Sequence, residues 1–310
     1  MPALSVIRDS TVKKTLVNIL LALASLFWGA SFILTKEIFG SEPHITVLQL
    51  ITFRMVCATV VTIPLLAVTR QLEPIRRGDL KWFLLLAFAE PFLYSICETS
   101  GVHLVSGSLS AVIIATIPFF VAITNAAVYR ERLRPVVIIG VLLSLGGIVL
   151  LMWGSDSMDT NADDLRRGIC WLIAAVAIAV VFTLILVRIA NHYRATTITA
   201  YQNLFGLCFF LPVMLLRDSD TLPLIHYNAH LILLVLALGV LCSTVAYMFY
   251  NYGVQHLGAT AACVYTNIIP IFSFLTAIVI GQEHFGWRRL AGIIVVIIGA
   301  TLAQRRGVEA

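Results

Sequence analysis

The chain repeats one of its own segments. The pattern that begins GVHLVSGSLSAVIIATIPFF at Gly101 returns at Gly253 as GVQHLGATAACVYTNIIPIF. At a constant offset of 152 residues and without a gap, seven landmark residues recur, which in the first copy are Gly101, Val102, Pro118, Phe120, Glu131, Gly140 and Gly147. Matches of proline, glycine and glutamate at fixed spacing indicate an internal repeat, because chance would produce only matches between common apolar residues.

The composition indicates that the chain is surrounded by lipid rather than by water. Hydrophobic residues make up 60% of the 310 residues and charged residues 12%, and the mean hydropathy is +0.96. Since soluble domains carry roughly 25% charged residues, we expect a chain embedded in a lipid bilayer. The net charge of +5 comes from basic residues in short loops between apolar runs, a topology signal that argues against a nucleic-acid partner.

Neither the cysteines nor the N-terminus suggests another class of protein. All six cysteines lie inside apolar runs without CxxC spacing, so we expect buried apolar side chains, with no metal site and no cofactor. The first apolar run reaches about 20 residues, long enough to cross a bilayer, and it contains Trp28. It is therefore interpreted as the first span rather than a cleaved signal.

Ten apolar segments are predicted to span the membrane, which makes the fold class all-α. The first five are 16–35, 45–69, 81–100, 107–129 and 136–153, and the second five are 168–188, 197–216, 230–251, 260–280 and 288–304. The longest connection, GSDSMDTNADDLRR at 154–167, lies halfway. The predicted organisation is a first repeat at 1–153, a linker loop at 154–167 and a second repeat at 168–310.

The odd number of spans in each repeat predicts that the two copies are inverted. A second copy that follows five spans enters the membrane upside down, as in many secondary transporters with a site at the midplane. With the N-terminus inside, 14 Lys and Arg fall in inner segments and six in outer segments. Both termini are therefore predicted to be cytoplasmic.

Several motifs resemble the EamA family of the drug/metabolite transporter superfamily. They are Trp28-Gly29-Ala30-Ser31-Phe32, Phe53-Arg54, Pro118 with Glu131-Arg132-Leu133, and Pro270 with Gly281-Gln282-Glu283. The second copy departs from the pattern, because His284 rather than an arginine follows Glu283. The resemblance implies a ten-span carrier of small metabolites, commonly an exporter of amino acids or related compounds, in a bacterial inner membrane.

The third span carries an unusual polar stripe. Glu90, Tyr94 and Glu98 are four residues apart, a spacing that places them on one face of a helix. They are interpreted either as a cavity wall or as partners of the basic residues at depth, Arg54 and Lys36. A third hypothesis is proton coupling, because a carboxyl group in apolar surroundings takes up a proton readily.

The eighth span also carries polar residues at helical spacing of three and four, namely Ser243, Tyr247, Tyr250 and Asn251. A register shift of one residue in the repeat pairs Tyr94 with Tyr247, and a phenol at this depth requires a partner or a cavity. Trp28 lies between small residues in the first span, where it either lines the cavity or packs against a neighbour. Gln49 and Gln202 match at an offset of 153 and are expected to hydrogen-bond between helices.

Pro118 and Pro270 occupy matching positions inside the fourth and ninth spans. Each removes a backbone hydrogen bond and frees a carbonyl group near Ile114 or Thr266, which must face protein or water. We expect kinks that shape the chamber and act as gating hinges, with fixed packing kinks as the alternative. Glycines seven residues apart in the fifth and tenth spans predict close helix packing, within the chain or across a homodimer.

The sequence as a whole favours a secondary transporter that binds a small-molecule substrate and moves it across the membrane by alternating access. The predicted substrate-binding residues are Trp28, Ser31, Glu90, Tyr94, Glu98, Thr116, Tyr247, Asn251, Tyr265 and Asn267. A carrier of nucleosides or drugs is the first alternative. An intramembrane enzyme is the second, although HExxH and GxSxG motifs are absent and Glu90 and Glu98 lie about 12 Å apart along one helix.

Overall fold

The computed structural model describes residues 2–128, 161–282 and 286–304, together with isolated positions between 136 and 150. In these ranges the chain is helical and contains no strand. The first half forms α1 (Pro2–Ser41), α2 (Val47–Val68), α3 (Leu80–Ala87), α4 (Tyr94–Leu104), α5 (Gly107–Ile114) and α6 (Ile117–Val128). The second half forms α7 (Ala162–Ala190), α8 (Ala195–Arg217), α9 (Ala229–Leu236), α10 (Ala246–Leu257), α11 (Ala259–Val264), α12 (Ile269–Ile280) and α13 (Trp287–Gln304).

The described helices have the length and composition of a multi-pass membrane protein. Seven are long and apolar enough to cross a bilayer, namely Lys14–Ser41, Val47–Val68, Leu80–Leu104, Ala162–Ala190, Ala195–Arg217, Ala229–Leu257 and Ala261–Ile280. Two shorter apolar helices are Gly107–Val121 and Leu290–Gly299. These nine coincide with nine of the predicted spans, whereas the predicted fifth span falls mostly outside the described residues.

Four predicted boundaries were wrong by six residues or more. The first helix begins at Pro2 rather than at residue 16, and the helix of the eighth span ends at Leu257 rather than at residue 251. The first helix continues beyond residue 35 to Ser41, and Gln282 Nε2 donates to Glu37 Oε2 (2.7 Å) in this extension.

The predicted linker 154–167 ends early, because α7 begins at Ala162 and the Asn161 side chain accepts from the Asp163 amide (3.2 Å). Asn161, Asp163 and Asp164, which contributed to the loop prediction, instead lie at the start of a helix, where such side chains cap free N–H groups.

Local sequence signals fix other helix ends. Thr46 and Gln49 form a capping box at the start of α2, in which each side chain bonds the backbone N–H of the other residue. Ser106 caps α5 through the amide of Leu109. Gly281 ends α12 in the left-handed conformation, which glycine adopts without steric cost.

Four of the predicted spans are interrupted. Ala115 and Thr116 separate α5 from α6, and a 3₁₀ turn at Tyr265–Ile268 separates α11 from α12. Pro118 and Pro270 lie in the first turn of the helix that follows each interruption, where a missing N–H breaks no helical hydrogen bond. Two further interruptions were not predicted. They are π-helical turns at Phe88–Leu93, between α3 and α4, and at Ala237–Val245, between α9 and α10.

The helices of the two halves pack on each other rather than in separate bundles. Helix α1 packs on α10 and α12, α4 packs on α7, and α2 packs on α8. The largest buried apolar cluster joins both halves, with Phe83 and Leu86 from the first and Leu172 and Leu186 from the second. This packing places the interface between the repeats at the centre of the structure.

The glycines of the last span of each half allow a close contact within the chain. A Cβ at Gly147 would lie 2.8 Å from the Val296 nitrogen and 2.9 Å from the Gly292 carbonyl oxygen. The predicted fifth and tenth spans therefore touch at this point, as small residues permit in membranes.

We predict that Gly29→Ala destabilises the protein. A Cβ at this position in α1 would lie 2.8 Å from the Ile269 carbonyl oxygen and 2.9 Å from the Ser273 nitrogen of α12, backbone atoms that cannot rotate away. The free energy of unfolding should fall by about 1–3 kcal/mol, measured as a lower midpoint of thermal unfolding in detergent. The matched control is Gly40→Ala in the same helix, where no atom lies within 4 Å of the added Cβ. Equal midpoints for the two variants would contradict the prediction.

Candidate functional site

A cavity lies between the two halves, near the middle of the long helices. Its volume is about 80 Å³, counted as space open to the centres of water molecules, which is enough for several waters. Apolar walls surround many polar groups. The polar lining side chains are Ser31, Arg54, Glu90, Tyr94, Ser95, Glu98, Thr183, Thr199, Gln202, Asn203, Ser243, Tyr247, Tyr250, Cys263 and Thr266.

The carboxyl group of Glu90 is bound from the opposite half of the chain. Tyr247 donates its hydroxyl proton to Glu90 Oε1 at 2.5 Å, whereas Glu90 Oε2 is buried without a partner. Glu90 lies in the π-helical turn and has an extended backbone (φ −138°, ψ 118°). Tyr94 and Glu98 line the same cavity, so the predicted stripe faces one chamber even though the helix is irregular.

Arg54 does not form the expected ion pair with Glu90. Its Nη2 donates to Ser243 Oγ at 3.2 Å, and its buried Nε has no partner. Lys36, the other predicted pairing residue, donates instead to the His103 carbonyl oxygen at 2.8 Å. The sequence indicated that the charges lie at depth, but hydroxyl and carbonyl groups rather than carboxylates bind them.

Aromatic rings form one wall of the cavity. Trp28 contacts Tyr247 edge to face, with 5.1 Å between ring centroids, and lies 5.2 Å from Tyr250. Its Nε1 donates to the Cys242 carbonyl oxygen at 3.3 Å. The tryptophan is thus both packed and cavity-lining, so the two interpretations made from the sequence are compatible.

Amide side chains join the helices behind this wall. Asn251 Nδ2 donates to Thr199 Oγ1 (3.0 Å) and Gln202 Oε1 (3.3 Å), and Gln202 Nε2 donates to the Glu90 carbonyl oxygen (3.3 Å). Asn251 itself is fully buried and is not part of the lining. It therefore acts on the cavity through Thr199 and Gln202, which do line it.

The helix interruptions reach the cavity through residues other than the prolines. Ile114 and Thr266, where freed carbonyl groups were expected, both line the cavity. Pro118 and Pro270 do not. The 3₁₀ turn and the break at Ala115 thus place the residues before each proline at the cavity.

Three further predicted residues lie away from the lining. Thr116 donates to the Ile113 carbonyl oxygen of its own turn (2.6 Å), and the carbonyl of Tyr265 accepts from Ser25 (2.8 Å). Asn267 is buried with both amide atoms unpartnered. These three residues were assigned to the cavity because each span was treated as one regular helix. The spans are interrupted beside them, and none of the three lines the cavity.

The structure brings together six of the predicted binding residues. They are Trp28, Ser31, Glu90, Tyr94, Glu98 and Tyr247. Sequence reasoning missed the roles of Asn203, Thr183 and Thr199 and took Gln202 only as a bond between helices. For Thr199 and Gln202 a signal exists, because the offset of 153 aligns them with Thr46 and Gln49. Asn203 and Thr183 align with Leu50 and Ala30, so the repeat gives no signal for them.

We predict that Tyr247→Phe destabilises the protein, because it leaves the buried carboxyl group of Glu90 without the hydrogen bond of 2.5 Å. Loss of one partner of a buried polar group costs about 1–3 kcal/mol, measured as a decrease in the midpoint of thermal unfolding. The control is Tyr201→Phe, which removes a hydroxyl group outside the cavity lining. A double variant with Glu90→Gln should recover part of the loss, and full additivity of the two changes would contradict a direct interaction.

Comparison with known proteins identifies the family and the fold of the chain. The chain matches the EamA-like transporter family twice, over residues 15–153 and 166–304. The uncharacterized transporter YetK of Bacillus subtilis (strain 168) is 28% identical over 251 residues, which cover 79% of this chain and 74% of YetK. An uncharacterized transporter of Archaeoglobus fulgidus is 24% identical over 289 residues, covering 93% of this chain and 97% of the relative. A crystal structure with 18% sequence identity superposes with a TM-score of 0.69 over 94% of this chain and 99% of its own, which establishes a shared fold. The chain belongs to the EamA-like transporter family and contains two copies of its repeat.

Proposed function

We propose that this membrane transporter is a secondary carrier of a small metabolite, with ten spans in two inverted five-helix repeats. The observation that carries the proposal is the cavity between the halves, with polar groups from both. Carriers of this plan bind the solute near the midplane, at the interface of the repeats. Burial of these polar side chains within a bilayer costs free energy unless they face water or a ligand.

Reciprocal packing supports an inverted arrangement. Helix α4 packs on α7, and its equivalent in the second repeat, α10, packs on α1, which is the equivalent of α7. Likewise, α2 packs beside the π-helical turn at 237–245, while α8 packs beside the turn at 88–93. Contacts that recur with the halves exchanged are the signature of a two-fold axis. The excess of basic residues in the inner segments favours cytoplasmic termini.

A group of hydrogen bonds, here named the inner clasp, joins the halves at the end predicted to be cytoplasmic. It connects the loop between α2 and α3 with the segment around the start of α8. Its bonds run from Thr197 Oγ1 to the Gln71 carbonyl oxygen (3.2 Å), from Tyr193 to Asp79 Oδ2 (2.7 Å) and from the Arg194 amide to Glu73 Oε2 (2.9 Å).

An outer clasp joins the equivalent segments with the halves exchanged. It connects the segment around the start of α2 with the loop between α8 and α9. Its bonds run from Thr46 Oγ1 to Asp218 Oδ2, from Gln49 Nε2 to the Asp218 carbonyl oxygen (2.8 Å) and Thr221 Oγ1 (2.8 Å), and from the His226 amide to Glu42 Oε2 (3.1 Å). A carrier must open one end while it holds the other closed. We infer that each clasp breaks in turn, with the helix interruptions next to Pro118 and Pro270 as hinges.

The resemblance to the EamA family, whose members commonly export amino acids or related compounds, supports such a compound as the solute, export as the direction and the inner membrane as the location. A carrier of nucleosides or drugs is the alternative, and the aromatic wall of Trp28, Tyr247 and Tyr250 is compatible with it. The proposal assigns the chain no enzymatic activity. Its two repeats correspond to residues 1–153 and 168–310, and a homodimer is a further arrangement to test.

Counterflow in proteoliposomes tests the proposed function. We expect vesicles preloaded with an unlabelled amino acid to accumulate the labelled compound transiently, because a carrier exchanges solute through one site. The measurement covers a panel of amino acids, nucleosides and cationic drugs, with protein-free vesicles as the control. A pH gradient across the same vesicles shows whether protons are coupled. Correctly folded protein that gives no counterflow with any solute would contradict the carrier proposal.

Cross-linking tests alternating access. Cysteine pairs replace Glu73 and Arg194 at the inner clasp, or Thr46 and Asp218 at the outer clasp, in a variant that lacks the six native cysteines. A cleavable cross-linker at either pair should stop counterflow, and reduction should restore it. The control pair, Asp163→Cys with Arg166→Cys, lies within one helix of the second half and outside both clasps, and it should leave counterflow intact when it is cross-linked. Undiminished flux with both clasps linked would rule out opening at these ends.

A further inference from the structure

The acidic and basic side chains of the cavity all come from one repeat. The lining contains Arg54, Glu90 and Glu98, and each belongs to the first half. At the offset of 153 their counterparts in the second half are Leu207, Ser243 and Asn251, which carry no charge. The two repeats therefore supply different chemistry to one chamber.

The second half holds two of these charges through hydroxyl groups. Ser243 Oγ accepts from Arg54 Nη2 at 3.2 Å, and Tyr247 donates to Glu90 Oε1 at 2.5 Å. Ser243 and Tyr247 are four residues apart, about one turn along the same helical segment. One face of one segment therefore contacts a guanidinium group and a carboxyl group of opposite charge.

Both charged groups keep binding capacity that no residue uses. Arg54 Nε and Glu90 Oε2 are buried and have no hydrogen-bond partner, with 7% and 5% of their residues exposed. An unpartnered buried charge is costly, and a single hydroxyl group satisfies it less well than an opposite charge does. Both side chains line the cavity, so a solute that enters it meets a guanidinium group and a carboxyl group whose hydrogen bonds are incomplete.

We propose that Arg54 and Glu90 are the two specificity-determining residues for a dipolar solute, whose acidic group binds Arg54 and whose ammonium group binds Glu90. The solute competes with the hydroxyl groups of Ser243 and Tyr247 for the two charges, so its binding loosens two hydrogen bonds between the halves. This inference rests on the proposed function, since it concerns the same cavity.

Binding of matched solutes to the purified full-length protein tests the proposal. The probes form two size series, alanine with ethylamine and propionate, and phenylalanine with phenethylamine and 3-phenylpropionate. In at least one series, the wild type should bind the amino acid about tenfold or more tightly than either singly charged analogue, the expected effect of one charged hydrogen bond.

Substitutions of Arg54 and Glu90 should separate the contribution of each side chain to the binding of the acid and of the amine. Arg54→Gln should weaken binding of the amino acid and of the acid about tenfold, while binding of the amine stays unchanged. Glu90→Gln should weaken binding of the amino acid and of the amine and leave that of the acid unchanged. Arg54→Lys retains the positive charge and should keep part of the preference for the acid. The controls Arg217→Gln and Glu37→Gln make the same chemical changes outside the cavity lining and should leave all affinities unchanged.

The outcomes distinguish this inference from the proposed function. Equal losses for all three solutes of a series would show a structural role for the charges and overturn the inference, as would a wild type that binds no amino acid of either series. Counterflow of an uncharged solute alone would overturn it and leave the carrier standing. The predicted binding pattern without any counterflow would support the two subsites and overturn the transport proposal.

Discussion

The hydrogen bond between Tyr247 and Glu90 shows the constraint on which the rest of the structure depends. Hydrocarbon offers no hydrogen bonds, so every polar group at depth must find its partner inside the protein or in enclosed water. The first half places Arg54 and Glu90 at this depth, and the second half supplies Ser243 and Tyr247 to meet them. Each half therefore supplies hydrogen-bond partners for polar groups of the other half. The cavity lies where these groups still lack some of their hydrogen bonds.

Hydrophobicity and the repeat predicted most of the architecture. A run of about 20 apolar residues can cross a bilayer only as a helix or as part of a closed barrel, so most ends of the described spans were predicted to within a few residues. The exceptions are both ends of α1, the start of α7 and the end of α10. The prolines marked both interruptions in the fourth and ninth spans. Trp28, Tyr94 and Tyr247 were placed at the cavity because large polar-tipped rings at mid-depth need a partner.

The site was harder to predict, because its geometry departs from regular helices. Periodicity assumes 3.6 residues per turn, whereas the π-helical turns at Phe88–Leu93 and Ala237–Val245 add to that number locally. Thr116, Tyr265 and Asn267 were misplaced for a related reason, since their spans break beside them. The partner of Arg54 could not be found by matching charges, because the structure gives it Ser243, a neutral residue that no charge pattern identifies.

The residues at matched positions of the two repeats show how a duplicated chain acquires an asymmetric site. At the offset of 153 the positions of Glu90, Tyr94 and Glu98 are occupied by Ser243, Tyr247 and Asn251. Only the tyrosine is kept, and a strict copy of the stripe would have placed four carboxyl groups around one small cavity. Like charges at short range in a poorly solvated space repel strongly, so neutral groups in one copy remove that repulsion. The same substitution turns the second repeat into the partner that holds the charges of the first, and the asymmetry lies in the third and eighth spans more than in the polar residues before Pro270.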